Sequence, residues 1–460
     1  MRVEGIRSQQ SSEQTVLEQL RAGQLMGTAR LDLSCGLTEF PREIFDLADS
    51  LEILNLSGNA LSSLPDDLPR LHKLRVLFCS ENQFTLLPEV LGQCKNLTML
   101  GFKANQISCV PEAALAPSLQ WLILTDNRIQ QLPRSIGQCL QMQKLMLAGN
   151  QLTDLPDELA ACTQLELLRL SANQFTALPN WLLTMPGLAW LALAGNPMTD
   201  GFEANRQQHE INHIDWQRLT LGQQLGEGAS GVIHQATLQQ ADGPDTEVAV
   251  KLFKSTVTSD GLPRCEMAAC MAVGAHPHVV SAMGRIEDHP DGTQGLVMPL
   301  IAPSFTNLAG PPSLASCTRD VYAPNTVLTH DVVLRIALGV AGAARNLHAC
   351  GLVHGDVYAH NILVDTAGAC LLGDFGAASF LPTDDPDTSQ ALQRMEVRAF
   401  GILLGELLAL CAPVTPQDPE LASHLATLGV LQQQCKQKAV AHRPLFEDIE
   451  RQLTALISSI

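Results

Sequence analysis

His354-Gly355-Asp356-Val357-Tyr358-Ala359-His360-Asn361, followed by Leu372-Gly373-Asp374-Phe375-Gly376, is the stretch that decides how the second half of this chain is read. It sets three metal- and proton-handling side chains at fixed short separations. Asp356 stands five residues before Asn361, so on one loop its carboxylate can face an acceptor hydroxyl while the amide reaches a metal ion. Asp374 comes thirteen residues beyond Asn361, after a strand read from Cys370-Leu371-Leu372. A phosphoryl group in flight carries charge on three oxygens, so its catalyst mainly supplies divalent metal, orientation and a proton acceptor. The stretch reads as a phosphoryl-transfer site.

Working outward, Leu225-Gly226-Glu227-Gly228-Ala229-Ser230-Gly231-Val232-Ile233 lies between two apolar runs and reads as a hairpin whose tip covers phosphates, where any Cβ would hold the backbone off the anion. Val248-Ala249-Val250-Lys251 follows on a strand, then Glu266-Met267-Ala268-Ala269-Cys270-Met271 and His276-Pro277-His278-Val279-Val280. In this order the motifs resemble those of the protein kinase superfamily. The resemblance implies a bilobal α+β domain over residues 216–460 that uses ATP and Mg2+. In it Asp356 would be the base, Asn361 and Asp374 the metal ligands, Lys251 the contact to the α- and β-phosphates and Glu266 its partner. Gly226, Gly228, Ser230, Gly231, Ile233, Ala249 and Lys251 would line the nucleotide. Leu296-Val297-Met298-Pro299-Leu300-Ile301 resembles the hinge, with Met298 as gatekeeper and the backbone near Leu300 and Ile301 facing adenine.

Departures from the family pattern follow. Residues 303–327, rich in Pro, Ser and Thr, read as an irregular insertion, and Asp331 to His348 as a helix. Only nineteen residues separate Gly376 from Glu396-Val397-Arg398-Ala399-Phe400-Gly401, which resembles the start of helix F with Glu for Asp. No Ala-Pro-Glu motif lies between, so Arg443-Pro444 lacks the Glu it usually pairs with and the peptide-docking platform must be small or rebuilt. Gly355 replaces the Arg that often holds a phosphorylated loop, so turnover is expected without phosphorylation at Ser379, Thr383, Thr388 or Ser389. Tyr358 stands where Ser/Thr kinases place a Lys on the transferring phosphate, and that charge must come from elsewhere or be missed. The acidic run Asp384, Asp385 and Asp387 reads as a solvated loop.

The first half is a repeat array. Leu51, Leu74, Leu97, Leu119, Met142, Leu165 and Leu188 each open an LxxLxL-like segment, with Asn59, Asn82, Asn105, Asn127, Asn150, Asn173 and Asn196 at the ninth position and a period of 23, once 22. Pro65, Pro88, Pro111, Pro133, Pro156 and Pro179 come six residues after their Asn. This resembles leucine-rich repeats. Alternate side chains of each short strand enter the core, the Asn satisfies backbone groups at the turn, and the Pro starts the convex return. Residues 13–25, with Val16, Leu17, Leu20 and Leu25 at helical spacing, read as an N-terminal cap, and Leu31, Leu33 and Pro41 as a degenerate first coil. The sequence places Phe78, Met99, Trp121, Ile123, Met146 and Trp190, beside Arg75, Lys103 and Arg169, on the concave face. They suggest a docking surface for a protein, or packing on this chain's own second half.

The fold class is therefore an α/β leucine-rich-repeat solenoid over residues 1–200, a linker at 201–215, and the kinase-like domain at 216–460. The linker carries His209-Glu210-Ile211-Asn212-His213, formally a zinc-hydrolase pattern, read as coincidence because no third ligand or pocket is evident. At 460 residues, net charge −18 and pI near 5.1 argue against sequence-independent binding to nucleic acid or anionic lipid, since both need a basic surface. Its thirteen cysteines include no CxxC pair, and Cys94, Cys139 and Cys162 share one repeat position, as reduced core residues would. No signal core and no run of the ~20 apolar residues that span a bilayer is present. The compartment implied is the cytosol, with export by a route that needs no N-terminal signal left open.

Three readings compete. The first is a Ser/Thr-type protein kinase whose repeats guide a partner or substrate, in the manner of bacterial or plant leucine-rich-repeat kinases. The second is a small-molecule phosphotransferase, because HGDxxxxN also resembles aminoglycoside and choline kinases; the VAVK, HPHVV and helix-F matches stand against it. The third is a repeat scaffold with a pseudokinase domain, against which all five polar site residues are present.

Overall fold

The computed structural model describes residues 15–199, 212–228, 230–254, 257–258, 260–313, 319–413 and 419–458. They form two compact units. The first runs to Leu168 and adds Asn173–Leu182; the second comprises Arg169–Ala172 and the chain from Leu183 onward.

In the first unit, helix α1 (residues 15–21) buries Leu17 and Leu20. Residues 13 and 14 of the expected cap lie outside the described residues. Short strands follow, β1 (Arg30–Asp32), β2 (Ile53–Asn55), β3 (Val76–Phe78), β4 (Met99–Gly101), β5 (Trp121–Ile123) and β6 (Lys144–Met146). They pair in parallel in chain order, and the register Ile53 to Val76 to Met99 advances by the repeat period. Each coil sends leucines such as Leu54, Leu77, Leu100, Leu122 and Leu145 into the interior, fully buried. The asparagines do what the pattern requires. Asn150 accepts from the Ile129 N–H at 3.0 Å and donates to the Leu124 and Leu147 carbonyls at 2.9 and 3.0 Å, so backbone groups at each turn find partners. Pro88, Pro111, Pro133 and Pro156 precede the 3-10 turns of the convex side. The described cysteines are free, and burial pushes the Cys139 thiol up to about 12.

The division of units falls elsewhere than the sequence boundary at residue 200. Strand β7 (Leu167–Arg169) straddles it, and within the second unit the Leu170 and Ala172 N–H groups donate to the Ala192 and Ala194 carbonyls, beside β8 (Trp190–Ala192). Most of the expected linker lies outside the described residues, but its end, β9 (His213–Asp215), is a strand. It pairs parallel with β13 (Gly284–Glu287) at the edge of a six-stranded sheet. The other strands are β10 (Leu219–Glu227), β11 (Gly231–Leu238), β12 (Thr246–Phe253) and β14 (Gly295–Pro299), in the order β10-β11-β12-β14-β13-β9. Alternation in β12 buries Val248 and Val250 in a core with Ile214, Ala236, Ile286 and Val297. Helix α2 (Pro263–Val273) begins at a proline, suited to the first helical position, and ends at Gly274 with φ +67°.

Beyond β14, β15 (Thr306–Asn307), β17 (Ile362–Val364) and β18 (Cys370–Leu372) form a small sheet, and β16 (Leu352–Val353) pairs with β19 (Ser379–Phe380). Helix α3 (His330–Ala349) opens with the Thr329 hydroxyl accepting from the Val332 N–H and buries Val333, Ile336, Val340 and Leu347. Helix α4 (Pro386–Leu410) starts ten residues before Glu396, because the Asp385 side chain caps its first turn with Pro386 next in line. Helices α5 (Pro419–Cys435) and α6 (Phe446–Ile457) complete the unit. Among the described residues, no helix is long and apolar enough to cross a membrane.

Candidate active site

Lys251 lies on β12 opposite Ile233 on one side and Leu296 on the other, and its ammonium pairs with the Glu266 carboxylate projecting from α2. Both are buried, at 9% and 3% exposure. Glu266 also faces Asp374 and Asp260, so burial and these like charges push its carboxyl up to about 7 against the pull of Lys251. Burial opposes the charge on Lys251, but Glu266 and Asp374 outweigh it and hold the ammonium above its ordinary value. The glycine loop is the β10–β11 hairpin, with Gly226 opposite Ile233 and the Gly228 N–H donating to the Gly231 carbonyl at 2.9 Å. A Cβ on Gly231 would lie 2.5 Å from the Leu252 carbonyl, whereas one on Gly226 or Gly228 would meet nothing. Gly231 thus permits strand packing, while the other two leave an open backbone surface, near Ser230. Ala249 pairs with Met298 across β12 and β14, and Leu300 follows that strand.

The predicted polar residues converge. Asn361 donates from Nδ2 to the Asp356 carbonyl at 3.0 Å and to Asp356 Oδ2 at 2.9 Å, and its backbone carbonyl accepts from the Gly373 N–H, next to Asp374. Asp374 has φ +57°, unusual for a residue with a side chain, and its Oδ1 accepts from the Gly376 N–H at 3.2 Å. A Cβ on Gly376 would sit 3.3 Å from Asp374 Oδ1 and 3.7 Å from Glu266 Oε2, which brings those two carboxylates together over the same side of one glycine. His354 is fully buried; its Nε2 lies 2.9 Å from the Gly373 carbonyl and its ring 5.1 Å from that of Phe375.

The remaining contacts of this loop were not legible as site features. Glu396 is buried on α4, accepts from the Gly355 N–H at 2.7 Å, and sits 2.7 Å from His348 Nε2. Asp320, from the irregular insertion, accepts from the Ala359 N–H and pairs with His360 Nδ1, both at 2.5 Å. Two of the concave-face residues follow the alternative reading, packing within the second unit. Trp190 is 1% exposed, stacks on Tyr358 with centroids 4.1 Å apart, and donates from Nε1 to the Val357 carbonyl at 3.0 Å. Arg169 is 2% exposed and donates to Asp356 Oδ1, to the Gly355 carbonyl at 3.2 Å and to Asp260 Oδ1 at 2.6 Å. Met99 is buried too, while Phe78, Trp121, Ile123, Met146 and Lys103 are half-buried and Arg75 is exposed.

Where the missing Ala-Pro-Glu motif leaves Arg443 without its usual carboxylate, backbone replaces it. The guanidinium donates to the carbonyls of Gln437, Arg394 and Pro186 at 2.9, 3.2 and 2.9 Å; burial and nearby Arg398 lower its pKa to about 10. Arg398 in turn donates to the Gly187 carbonyl at 2.9 Å, and Ser379 Oγ accepts from the Leu193 N–H. Backbone from Pro186 to Leu193 thus lies against α4, the segment after α5 and β19. Of the formal zinc pattern, His209 and Glu210 lie outside the described residues; His213 Nδ1 lies 2.6 Å from Glu287.

Comparison with known proteins gives two family matches. Residues 219–400 match the model described as protein tyrosine and serine/threonine kinase, and residues 49–107, 117–175 and 140–198 match leucine rich repeat. The tyrosine-protein kinase receptor TYRO3 of Gallus gallus is 28% identical over 175 residues, covering 37% of this chain and 20% of the receptor. Serine/threonine-protein kinase PkaB of Streptomyces coelicolor is 33% identical over 178 residues, 36% of this chain and 38% of that protein. Serine/threonine-protein kinase mos of Xenopus laevis is 29% identical over 173 residues, with 37% and 45% covered. The chain spans less than half the length of each of these relatives.

Proposed function

Because the chain joins leucine-rich repeats to a protein kinase domain, we propose that it is an ATP- and Mg2+-dependent protein kinase of Ser/Thr type, with repeats that dock a protein partner or substrate. The observation that carries this reading is the continuity of the five polar residues. Lys251 bonds Glu266, Glu266 and Asp374 approach the same side of Gly376, Gly373 ties Asp374 to Asn361, and Asn361 bonds Asp356.

These residues fit a metal-bound triphosphate. When bound, MgATP would supply the γ-phosphoryl group, and its Mg2+ the positive charge between the phosphates and the crowded carboxylates. Lys251, held by Glu266, would orient the phosphates. Asp374 and the amide oxygen of Asn361, whose Nδ2 is committed to Asp356, would hold the metal. Asp356 accepts the proton of the acceptor hydroxyl. The chain's only tyrosines are Tyr322 and Tyr358, and the second is buried under Trp190, so self-phosphorylation is expected on Ser or Thr. Half-buried Phe78, Trp121, Ile123 and Met146 favour a protein ligand on the concave strands. Free, buried cysteines favour a reducing compartment, and we assign the protein to the cytosol.

A second reading, transfer to a small molecule, is favoured by the absent Ala-Pro-Glu motif and by Arg443 binding backbone where a peptide platform would be anchored. Labelled ATP offered to the wild type and Asp374→Asn, with a protein mixture and a metabolite panel in parallel, separates the two. Label in protein that the variant fails to deliver supports the kinase reading. Label in metabolites supports the second, and none in either pool would leave a repeat scaffold with a structural nucleotide site.

A further inference from the structure

We infer that Arg169 is a positioning residue of the transfer site, holding the Asp356 carboxylate in place and supplying beside it the cation that the catalytic loop lacks. This rests on the kinase reading above. The loop has no Lys at Tyr358, and its own cation candidate, His360, is turned to Asp320. Arg169 occupies the third position of its strand, where the other described coils carry Asp32, Asn55 and five apolar or small residues. It is the one cation at that position among the described coils, and it is apt for the loop.

The contact is built. Arg169 holds Asp356 Oδ1 and Asn361 holds Oδ2, so each carboxylate oxygen receives one fixed donor. A carboxylate offers about four lone-pair sites, which leaves room for an acceptor hydroxyl. The planar guanidinium also donates to the Gly355 carbonyl, and Gly355 is where the backbones meet. Its φ is +73°, and a Cβ there would lie 2.6 Å from both the Ala377 and Leu191 carbonyls. Only glycine lets β8 lie this close to the loop. Through Nε the same guanidinium holds Asp260, just ahead of the helix that carries Glu266. Arg169 therefore links the base to the helix that orients Lys251, and a single rigid fork does so as a flexible ammonium would not.

The test compares kcat and the KM for ATP of the wild type, Arg169→Lys and Arg169→Gln. Expected for Arg169→Gln is a loss of about 100-fold in kcat with the ATP KM little changed. Arg169→Lys should recover part of the rate, and it keeps the test alive if the Gln variant does not fold. Equal or faster turnover by an active wild type's Arg169→Gln variant would overturn this inference alone, making the guanidinium a plug. A wild type that transfers nothing would remove the kinase reading and the inference together.

Discussion

Trp121 and Trp190 stand at the same position of their repeats, two residues after Leu119 and Leu188, yet they live in different surroundings. Trp121 is half-buried in the first unit, with the Lys144 ammonium 4.4 Å from its ring centre and its Nε1 3.4 Å from Met146 Sδ. Trp190 is enclosed in the second unit, stacked on Tyr358 and bonded to the Val357 carbonyl. The same contrast separates the units more widely. The first-unit coils bury leucines and asparagines that satisfy their own backbone and, of the charged residues described, Lys144, whereas the second unit buries Arg169, Lys251, Glu266, Glu396 and Arg443. A repeat position fixes where a side chain points, and the neighbour decides whether it becomes surface or machinery.

Substitution of the two tryptophans breaks the comparison most strongly. Trp190→Ala should lower unfolding stability by about 3–5 kcal/mol, since it empties a closed site, while Trp121→Ala should cost roughly 1 kcal/mol. Denaturant unfolding checks both, and equal losses would erase the distinction. Next, Asn150→Ala strips a buried amide from three backbone groups and should cost about 1–3 kcal/mol by the same measurement. The smallest effect concerns buried charge in the second unit. Burial pushes Glu406 up to about 7 against the hydrogen bond donated by Tyr322 at 2.9 Å. An acid whose folded pKa is raised favours folding below its unfolded pKa, and that contribution is lost as pH rises through about 7. Unfolding at pH 5 and pH 8 should therefore show a smaller fall for Glu406→Gln than for the wild type.

Much of this could be read from sequence because its signals are local or periodic. Leu, Asn and Pro recur at fixed offsets, and each coil repeats the same hydrogen bonds. Asp356, Asn361 and Asp374 lie within twenty residues of one another, so chain spacing nearly fixes their geometry. Arg169 was not legible in that way, because its partner is 187 residues away and a solenoid's concave arginine reads as exposed. The available signal was a cation at a strand position that carries none in the other described coils. Asp320 was hidden in a Pro- and Ser-rich insertion whose composition says only that the chain is irregular. The early start of α4 was legible, since Asp385-Pro386 is a helix-start pair, but the acidic run drew the reading toward a loop.

The most direct test of the account is single-turnover transfer of the γ-phosphoryl group by the wild type and by Asp356→Asn, with MgATP binding measured on both. The account predicts that binding survives while the transfer rate falls by about 100- to 10,000-fold, the range expected when a general base is removed. Undiminished transfer by the variant, or a wild type that binds no MgATP, would contradict it.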